Sequence, residues 1–342
     1  MVAARSWLQR GGAVWHIAGM TDHIILRRSV ILGAGAMAAA GPALGQDSFG
    51  GFVAGVKAEA RRLGIRDETL QAAFEGVRPN QRVIELDRKQ PEFTMTWPQY
   101  RDRVLPATRL QAARENYGRE RGLLDQVEAR FGVDRFIIIG IWGIESAFGV
   151  NKGNYRLIEA LSTLAWEGRR AAYFRKELIN GLKILDAGDV TPARATSGYA
   201  GAMGQPQFMP SSFLQYAVDF DGDGRRDIWD TKADVFGSIG NYLARNGWRR
   251  GEPWGQPVRV PGGFSSGGRD DKRSLGEWMR AGVRRADGSV FTRSDASGAV
   301  VMPTGVDPGE GFMVYANFGA IRRYNPSDFY ALAVGLLGDA AA

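Results

Sequence analysis

Apolar side chains recur at helical spacing along most of this chain. Phe52, Val56, Ala60 and Leu63 fall on one helical face, and Asp67 stands where it would cap a second helix carrying Leu70, Ala73 and Phe74. Three prolines break the pattern between Pro91 and Pro106, with Phe93, Trp97 and Tyr100 interleaved, before Ala112 to Arg130 reads as a further helix. The run from Asp134 to Gly149 is more apolar still, with Asp134 as N-cap and Gly149 as C-terminal stop, and it predicts one buried helix. Ile137, Ile138 and Ile139 would suit a strand, but the run exceeds ordinary strand length and lacks flanking turns. Helices are expected again over Ile158–Trp166, Ala171–Leu185 and Ala233–Asn246. From Gly251 the prolines and glycines multiply and short runs appear at Val258–Val260, Ser289–Phe291 and Phe312–Tyr315, the pattern of a small β-rich insertion with a helix capped by Ser274. Asp328 to Leu337 reads as a final helix, apolar enough to need packing on the earlier ones. The fold class is mainly α (α+β), with a core discontinuous in sequence.

Composition adds an address. Arg27 and Arg28 precede an Ala/Gly-rich apolar run, Val30 to Leu44, after which polar character resumes. This is an export signal over residues 1–45, shorter and more glycine-diluted than a membrane anchor. The arginine pair also resembles a twin-arginine signal, so the export route stays open. Residues 1–19 fit no signal pattern, and a start at Met20 would give a signal of ordinary length. The chain carries a formal +7; residues 1–45 hold Arg5, Arg10, Arg27, Arg28 and Asp22, a net +3, which leaves +4 for the rest. That balance suits an acidic polymer, and the clustered basic stripes of a nucleic-acid binder are missing. There is no cysteine, hence no disulfide, no thiolate metal site and no lipid-bearing cysteine. Both histidines, His16 and His23, precede the expected cleavage point, which removes a histidine triad or a histidine zinc site.

Candidate chemistry then concentrates in a few places. Glu145 lies in Ile141-Trp142-Gly143-Ile144-Glu145-Ser146-Ala147-Phe148, on a helix apolar on every face. Desolvation favours the protonated carboxyl, which is the form that donates a proton to a glycosidic oxygen; a buried arginine partner would be the structural alternative. Ser197 to Ser211 combines glycines, Gln205, Gln207, Tyr199 and Phe208 ahead of a helix capped by Ser211 or Ser212, a segment suited to a sugar polymer or simply a tight loop. Asp219, Asp221, Asp223 and Gly224 open an EF-hand-like loop; Arg225 would offer its carbonyl and Asp230 or Asp234 would close it, with Asp227 a further candidate, against a solvated acidic turn. Arg169 and Arg170 can hold an acidic substituent or merely be solvated.

Taken in order, Gly-Ile-Glu145-Ser146-Ala-Phe-Gly, Ala160–Ala165, Arg169-Arg170, Gly201-Ala-Met-Gly-Gln-Pro-Gln207-Phe-Met-Pro-Ser, Asp219–Trp229, Asn241-Tyr242 and Tyr324-Asn325 resemble the membrane-bound lytic transglycosylase B family over about residues 49–338. The resemblance implies a lysozyme-like core at 131–252 that resumes at 317–342, an N-terminal helical domain at 46–130 and the β-rich insertion at 253–316. It implies an enzyme that cleaves peptidoglycan between N-acetylmuramic acid and N-acetylglucosamine and leaves a 1,6-anhydromuramyl end, with Glu145 as single acid and base. Gln207, Tyr242, Tyr324 and Asn325 would line the cleft, Arg169, Arg170 and Ser146 would contact substrate, and Tyr100 matches more loosely. Calcium would be structural, with no catalytic cofactor. Family members often carry Ser where this chain has Gly198, and the missing cysteine points to a periplasmic form without a lipid anchor. The expected partners are glycan strands and wall-remodelling proteins, with a monomeric chain. A hydrolytic muramidase using Glu159 or Glu167 as second carboxylate, and a non-catalytic glycan-binding protein, are the competing readings.

Overall fold

Ser48 accepts the Gly51 N–H at 3.2 Å and starts the first helix, α1 (Phe49–Arg62). The computed structural model describes residues 48–88, 95–304 and 310–342. The export signal and its arginine pair lie outside the described residues. After α1 come α2 (Asp67–Phe74), α3 (Gln81–Arg88), α4 (Trp97–Val104), α5 (Ala107–Phe131) and α6 (Arg135–Ser146). Then α7 (Leu157–Glu167), α8 (Ala171–Ala187), α9 (Pro210–Tyr216) and α10 (Lys232–Arg245) lead into the insertion, which holds α11 (Leu275–Arg280), and α12 (Ala316–Tyr324) and α13 (Asp328–Ala341) follow it. No helix among the described residues is long and apolar enough to cross a membrane.

The apolar helix α6 sits at the centre, against α5, α10 and α13. Its isoleucines form a helix because neighbours cover it on all sides: Ile137, Ile138, Ile139, Ile141 and Ile144 are all buried. Helices α1 to α3 lie against α7 and α8, and their Val56, Leu70 and Val83 join the same apolar core as α6 and α13. Outside it, β1 (Tyr155–Arg156) pairs antiparallel with β2 (Thr196–Ser197).

The insertion is a five-stranded antiparallel sheet formed by β3 (Gly255–Arg259), β4 (Arg273–Ser274), β5 (Arg284–Arg285), β6 (Ser297–Val301) and β7 (Gly311–Val314), in the order β4-β6-β7-β3-β5. It has an apolar cluster of its own, with Val258, Trp278, Val283, Val300 and Met313 at its centre. Ser274 caps α11 in a capping box with Glu277, as expected. Ser289–Phe291 is not a strand: Asp287 accepts the Ser289 N–H at 2.9 Å and turns the chain there. The strand is β6, whose Ala299, Val300 and Val301 are buried on both faces and so show no alternation.

Other differences are local. Asp67 is the first helical residue of α2, with Arg66 as its cap, and bonds the Arg61 Nε at 2.6 Å. Pro98 does not break the chain but stands in the first turn of α4, where a missing N–H is tolerated. Helix α5 begins at Ala107, directly after Pro106. Helix α6 stops at Ser146, three residues before Gly149. Ser211 and Ser212 lie inside α9, whose cap position is Met209; the buried Glu177 carboxylate accepts the Ser211 N–H at 2.8 Å instead.

Candidate active site

Asp134 accepts the Phe136 N–H at 2.8 Å and caps α6 as the sequence predicts. Gly140 lets α6 approach α13 backbone to backbone: a Cβ there would strike the Val334 carbonyl oxygen and stand 3.2 Å from its carbon. At the other end the chain turns through three consecutive left-handed residues, Ala147 (φ 49°), Phe148 (φ 60°) and Gly149 (φ 84°). Two of these are not glycine, so the turn is strained. Ser146 holds it, its hydroxyl donating to the Trp142 carbonyl at 3.0 Å and accepting the Gly149 N–H at 3.0 Å. Ser146 is fully buried, with its hydroxyl engaged at the helix end.

Glu145, on the last turn of α6, is half-buried rather than enclosed. The Tyr330 hydroxyl donates to its Oε1 at 2.6 Å. Tyr330 is wholly buried in the first turn of α13, where Ser327 caps the helix by accepting the Tyr330 N–H at 3.3 Å. Burial, and then the facing Glu145 charge, push its phenol well above the ordinary range, so it stays a neutral donor. This residue was missed in the sequence. The available signal was a tyrosine in an otherwise apolar helix, since a buried hydroxyl requires a partner.

Around this pair the chain brings together several of the predicted residues. Tyr324 stacks on Tyr330 with centroids 6.5 Å apart and donates to the Pro206 carbonyl at 2.6 Å. That bond sets Asn325 and Gln207, each one residue further along, beside one another's loops. Gln207 has a left-handed backbone (φ 52°) and donates to the Gly204 carbonyl at 2.7 Å, while its buried Oε1 has no partner; neither has the buried Nδ2 of Asn325. Tyr242 donates to the Arg323 carbonyl at 2.5 Å and packs against Tyr324 at 4.7 Å. Tyr242, Tyr324 and Phe208 are buried and pack on one another, so these rings form a packed floor and not stacking platforms for sugar; Tyr199 is buried too. Tyr100 is buried against Trp97 and Phe329, beside Tyr330 in the chain.

Arg169 and Arg170 are not simply solvated. Both meet the buried carboxylate of Asp87 on α3: Arg169 Nε lies 2.9 Å from Oδ2 and Arg170 Nη2 lies 2.6 Å from Oδ1. Their side chains keep 39% and 29% exposure, enough for one face of each guanidinium to meet an acidic ligand.

In the acidic loop Asp219, Asp221 and Asp223 each bring a carboxylate oxygen within 4.8 Å of the others. Asp219 is pre-set by the N–H groups of Gly222, Asp223 and Gly224 at 2.7, 3.1 and 2.8 Å, and Gly224, the sixth position, has φ 89°. Hard oxygen donors so arranged fit Ca²⁺. Asp230 and Asp234 have partners of their own. Asp230 bonds Lys152 at 2.5 Å and also Arg194, which together hold its carboxyl below the usual range. Asp234, fully buried, accepts the N–H groups of Phe220 and Asp227, each at 2.7 Å, and clamps the two ends of the loop; burial raises it to about 6. Arg225 pairs its guanidinium with Asp223 at 3.0 Å, and Asp227 caps the turn to Trp229 and Asp230.

A family profile described as Transglycosylase SLT domain matches residues 48–339. The chain belongs to this transglycosylase family. It is 34% identical over 255 residues to the membrane-bound lytic murein transglycosylase B of Escherichia coli (strain K12), covering 72% of this chain and 67% of that one. SltB3 from Pseudomonas aeruginosa, solved in complex with NAG-anhNAM-pentapeptide, superposes with a TM-score of 0.83 at 41% identity, over 86% of this chain and 80% of that chain. Soluble lytic transglycosylase SltB1 from Pseudomonas aeruginosa gives 0.74 at 35% identity over 85% and 98%. Escherichia coli Slt35 in complex with calcium gives 0.72 at 29% over 88% and 94%. The fold is therefore the lysozyme-like fold of the lytic transglycosylases.

Proposed function

We propose that this enzyme is a lytic transglycosylase that cleaves the β-1,4 bond between N-acetylmuramic acid and N-acetylglucosamine in peptidoglycan, with Glu145 as its single general acid and base. The observation that carries the reading is the Tyr330–Glu145 hydrogen bond of 2.6 Å at the end of a buried apolar helix. The Tyr330 hydroxyl, which keeps its proton, orients the Glu145 carboxyl for proton transfer. In its acid form Glu145 protonates the glycosidic oxygen as the bond to muramyl C1 breaks. The resulting carboxylate takes the proton of the C6 hydroxyl as O6 closes on C1, giving the 1,6-anhydro ring, and the acid form is restored. No water enters the product.

The unpartnered Asn325 donor and Gln207 acceptor complement the carbonyl and N–H of an acetamido group, and the exposed edges of Arg169 and Arg170 face a lactyl or peptide carboxylate. Tyr242 and Tyr324 hold the floor beneath. Asp219, Asp221 and Asp223 would hold a structural Ca²⁺, with the Arg225 carbonyl as a further donor. Glu159 and Glu167, the second carboxylates of the muramidase reading, are bonded by Asn80 and by Arg88, each at 2.7 Å. Export to the periplasm without a lipid anchor, a monomeric state and wall-remodelling partners complete the proposal. Mass spectrometry of digested peptidoglycan, with Glu145→Gln beside the wild type, tests it. Anhydromuropeptides from the wild type alone support it; reducing muramic ends, or full turnover by the variant, would sink it.

A further inference from the structure

Gln205 and Gln207 leave one turn in different ways. Gln207 keeps a free acceptor, whereas Gln205, only 5% exposed, is fully spent inside the protein. Its Oε1 accepts the Trp142 indole N–H at 2.7 Å, its Nε2 donates to the Trp229 carbonyl at 2.8 Å, and its backbone N–H donates to the Ile228 carbonyl at 2.9 Å. Trp142 lies one turn before Glu145 on α6, wedged edge-on against Phe236 (4.9 Å) and Phe148 (5.5 Å). Ile228 and Trp229 are the segment by which the chain leaves the acidic loop. The strained turn after α6 rests on the same amide, since a Cβ on Gly149 would come within 2.5 Å of Gln205 Oε1. One carboxamide thus joins the last turns of α6, the exit of the acidic loop and the turn presenting Gln207.

We propose that Gln205 is a positioning residue for the transglycosylase reaction: by fixing Trp142 to the Trp229 carbonyl it holds Glu145 and Gln207 in one rigid frame. The proposal rests on Glu145 being the acid and base. Its physical basis is that a buried indole N–H and a buried carbonyl must each be paired, so an apolar side chain at 205 strands both and lets α6 shift against the 201–208 turn. Catalytic geometry tolerates little displacement, and a misplacement of about 1 Å from a distant change lowers rates by roughly a hundredfold.

The test uses the full chain with Gln205→Leu, Gln205→Glu and Glu145→Gln, assayed for anhydromuropeptide release, with circular dichroism to establish folding. Gln205→Leu is expected to lower kcat by roughly ten- to a hundredfold with KM changed by less than about twofold. Gln205→Glu is the conservative partner: protonated, it offers the same acceptor and donor, so it restores turnover at acid pH and loses it as the pH rises, a loss added to the one that deprotonation of Glu145 gives the wild type. Should Gln205→Leu fail to fold, the pH profile of Gln205→Glu decides alone. Wild-type kcat in a folded Gln205→Leu, or a Gln205→Glu profile that parallels the wild type, overturns the proposal while Glu145→Gln remains inactive. Turnover by Glu145→Gln overturns the acid/base reading and this proposal together.

Discussion

Gly140→Ala sets two effects of opposite sign against each other. Alanine in a helix interior is favoured over glycine by about 0.8–1 kcal/mol. Against this, the added Cβ would meet the Val334 backbone of α13, its carbonyl carbon only 3.2 Å away, and backbone cannot yield by changing rotamer. Overpacking of a close-packed core costs about 1–3 kcal/mol, so the expected net is a loss of about 0–2 kcal/mol, or a fall in Tm of up to roughly 8 °C. Because α13 carries Tyr330, the displacement also parts that hydroxyl from Glu145, and kcat should fall further than stability explains. Gly118→Ala on α5 is the control: nothing lies within 4 Å of its Cβ, so it should gain about 0.8–1 kcal/mol. Scanning calorimetry and anhydromuropeptide release read both variants. A Gly140→Ala protein as stable as Gly118→Ala, with wild-type turnover, would refute the reasoning.

Tyr330→Phe removes a hydrogen bond to a carboxylate, worth about 1.5–3 kcal/mol; kcat should drop roughly tenfold or more with the far-ultraviolet spectrum unchanged, and wild-type kcat would count against the pair. Asp87→Ala leaves two arginines without their buried partner. The full penalty of breaking a buried pair, about 3–5 kcal/mol, is reduced by their exposure to roughly 2 kcal/mol, measurable as a lower urea midpoint. Calcium at a hundredfold excess over its dissociation constant should stabilise by about 2.7 kcal/mol, and an equal Tm rise in an Asp221→Asn/Asp223→Asn variant would exclude that loop as its site. Burial raises the Asp186 carboxyl, but Thr69 and Arg66 bonds more than offset this and leave it lowered. Its contribution is therefore present above the unfolded carboxylate range and is lost as pH falls through the folded value. Asp186→Asn should be less stable than wild type at neutral pH and converge with it in acid; a gap that persists in acid would contradict the assignment.

Much of the architecture was legible because the sequence states it locally. Asp134 before an unbroken apolar run marks α6, and Ser274 and Ser327 mark two further starts, as caps do wherever a side-chain oxygen meets orphan N–H groups. What was hidden depends on neighbours distant in sequence. Pro98 resembles a breaker until it falls in a first turn. Gln205 and Gln207 are the same side chain two residues apart, yet Gln205 is bonded inside the protein while Gln207, on a left-handed backbone, keeps its acceptor. Asp230 has the right spacing for a loop ligand, but Lys152, from the turn after α6, draws it away. Ser146 adjoins Glu145 in sequence, and its hydroxyl bonds the Trp142 carbonyl and the Gly149 N–H at the strained exit of α6. Tyr330 could be read as a hydroxyl needing a partner; its partner lay 185 positions earlier in the chain.

The pairing of α6 with α13 also orders the life of the enzyme in time. Glu145 is synthesised well before Tyr324, Asn325 and Tyr330, which come after the whole inserted sheet. Until the last helix arrives, the face of α6 that α13 covers has nothing to pack on, and the acid lacks its tyrosine. A chain cut short within the insertion therefore combines an uncovered apolar helix with an incomplete site. On the proposed reading of Glu145, the site is complete only with the C-terminal helix in place.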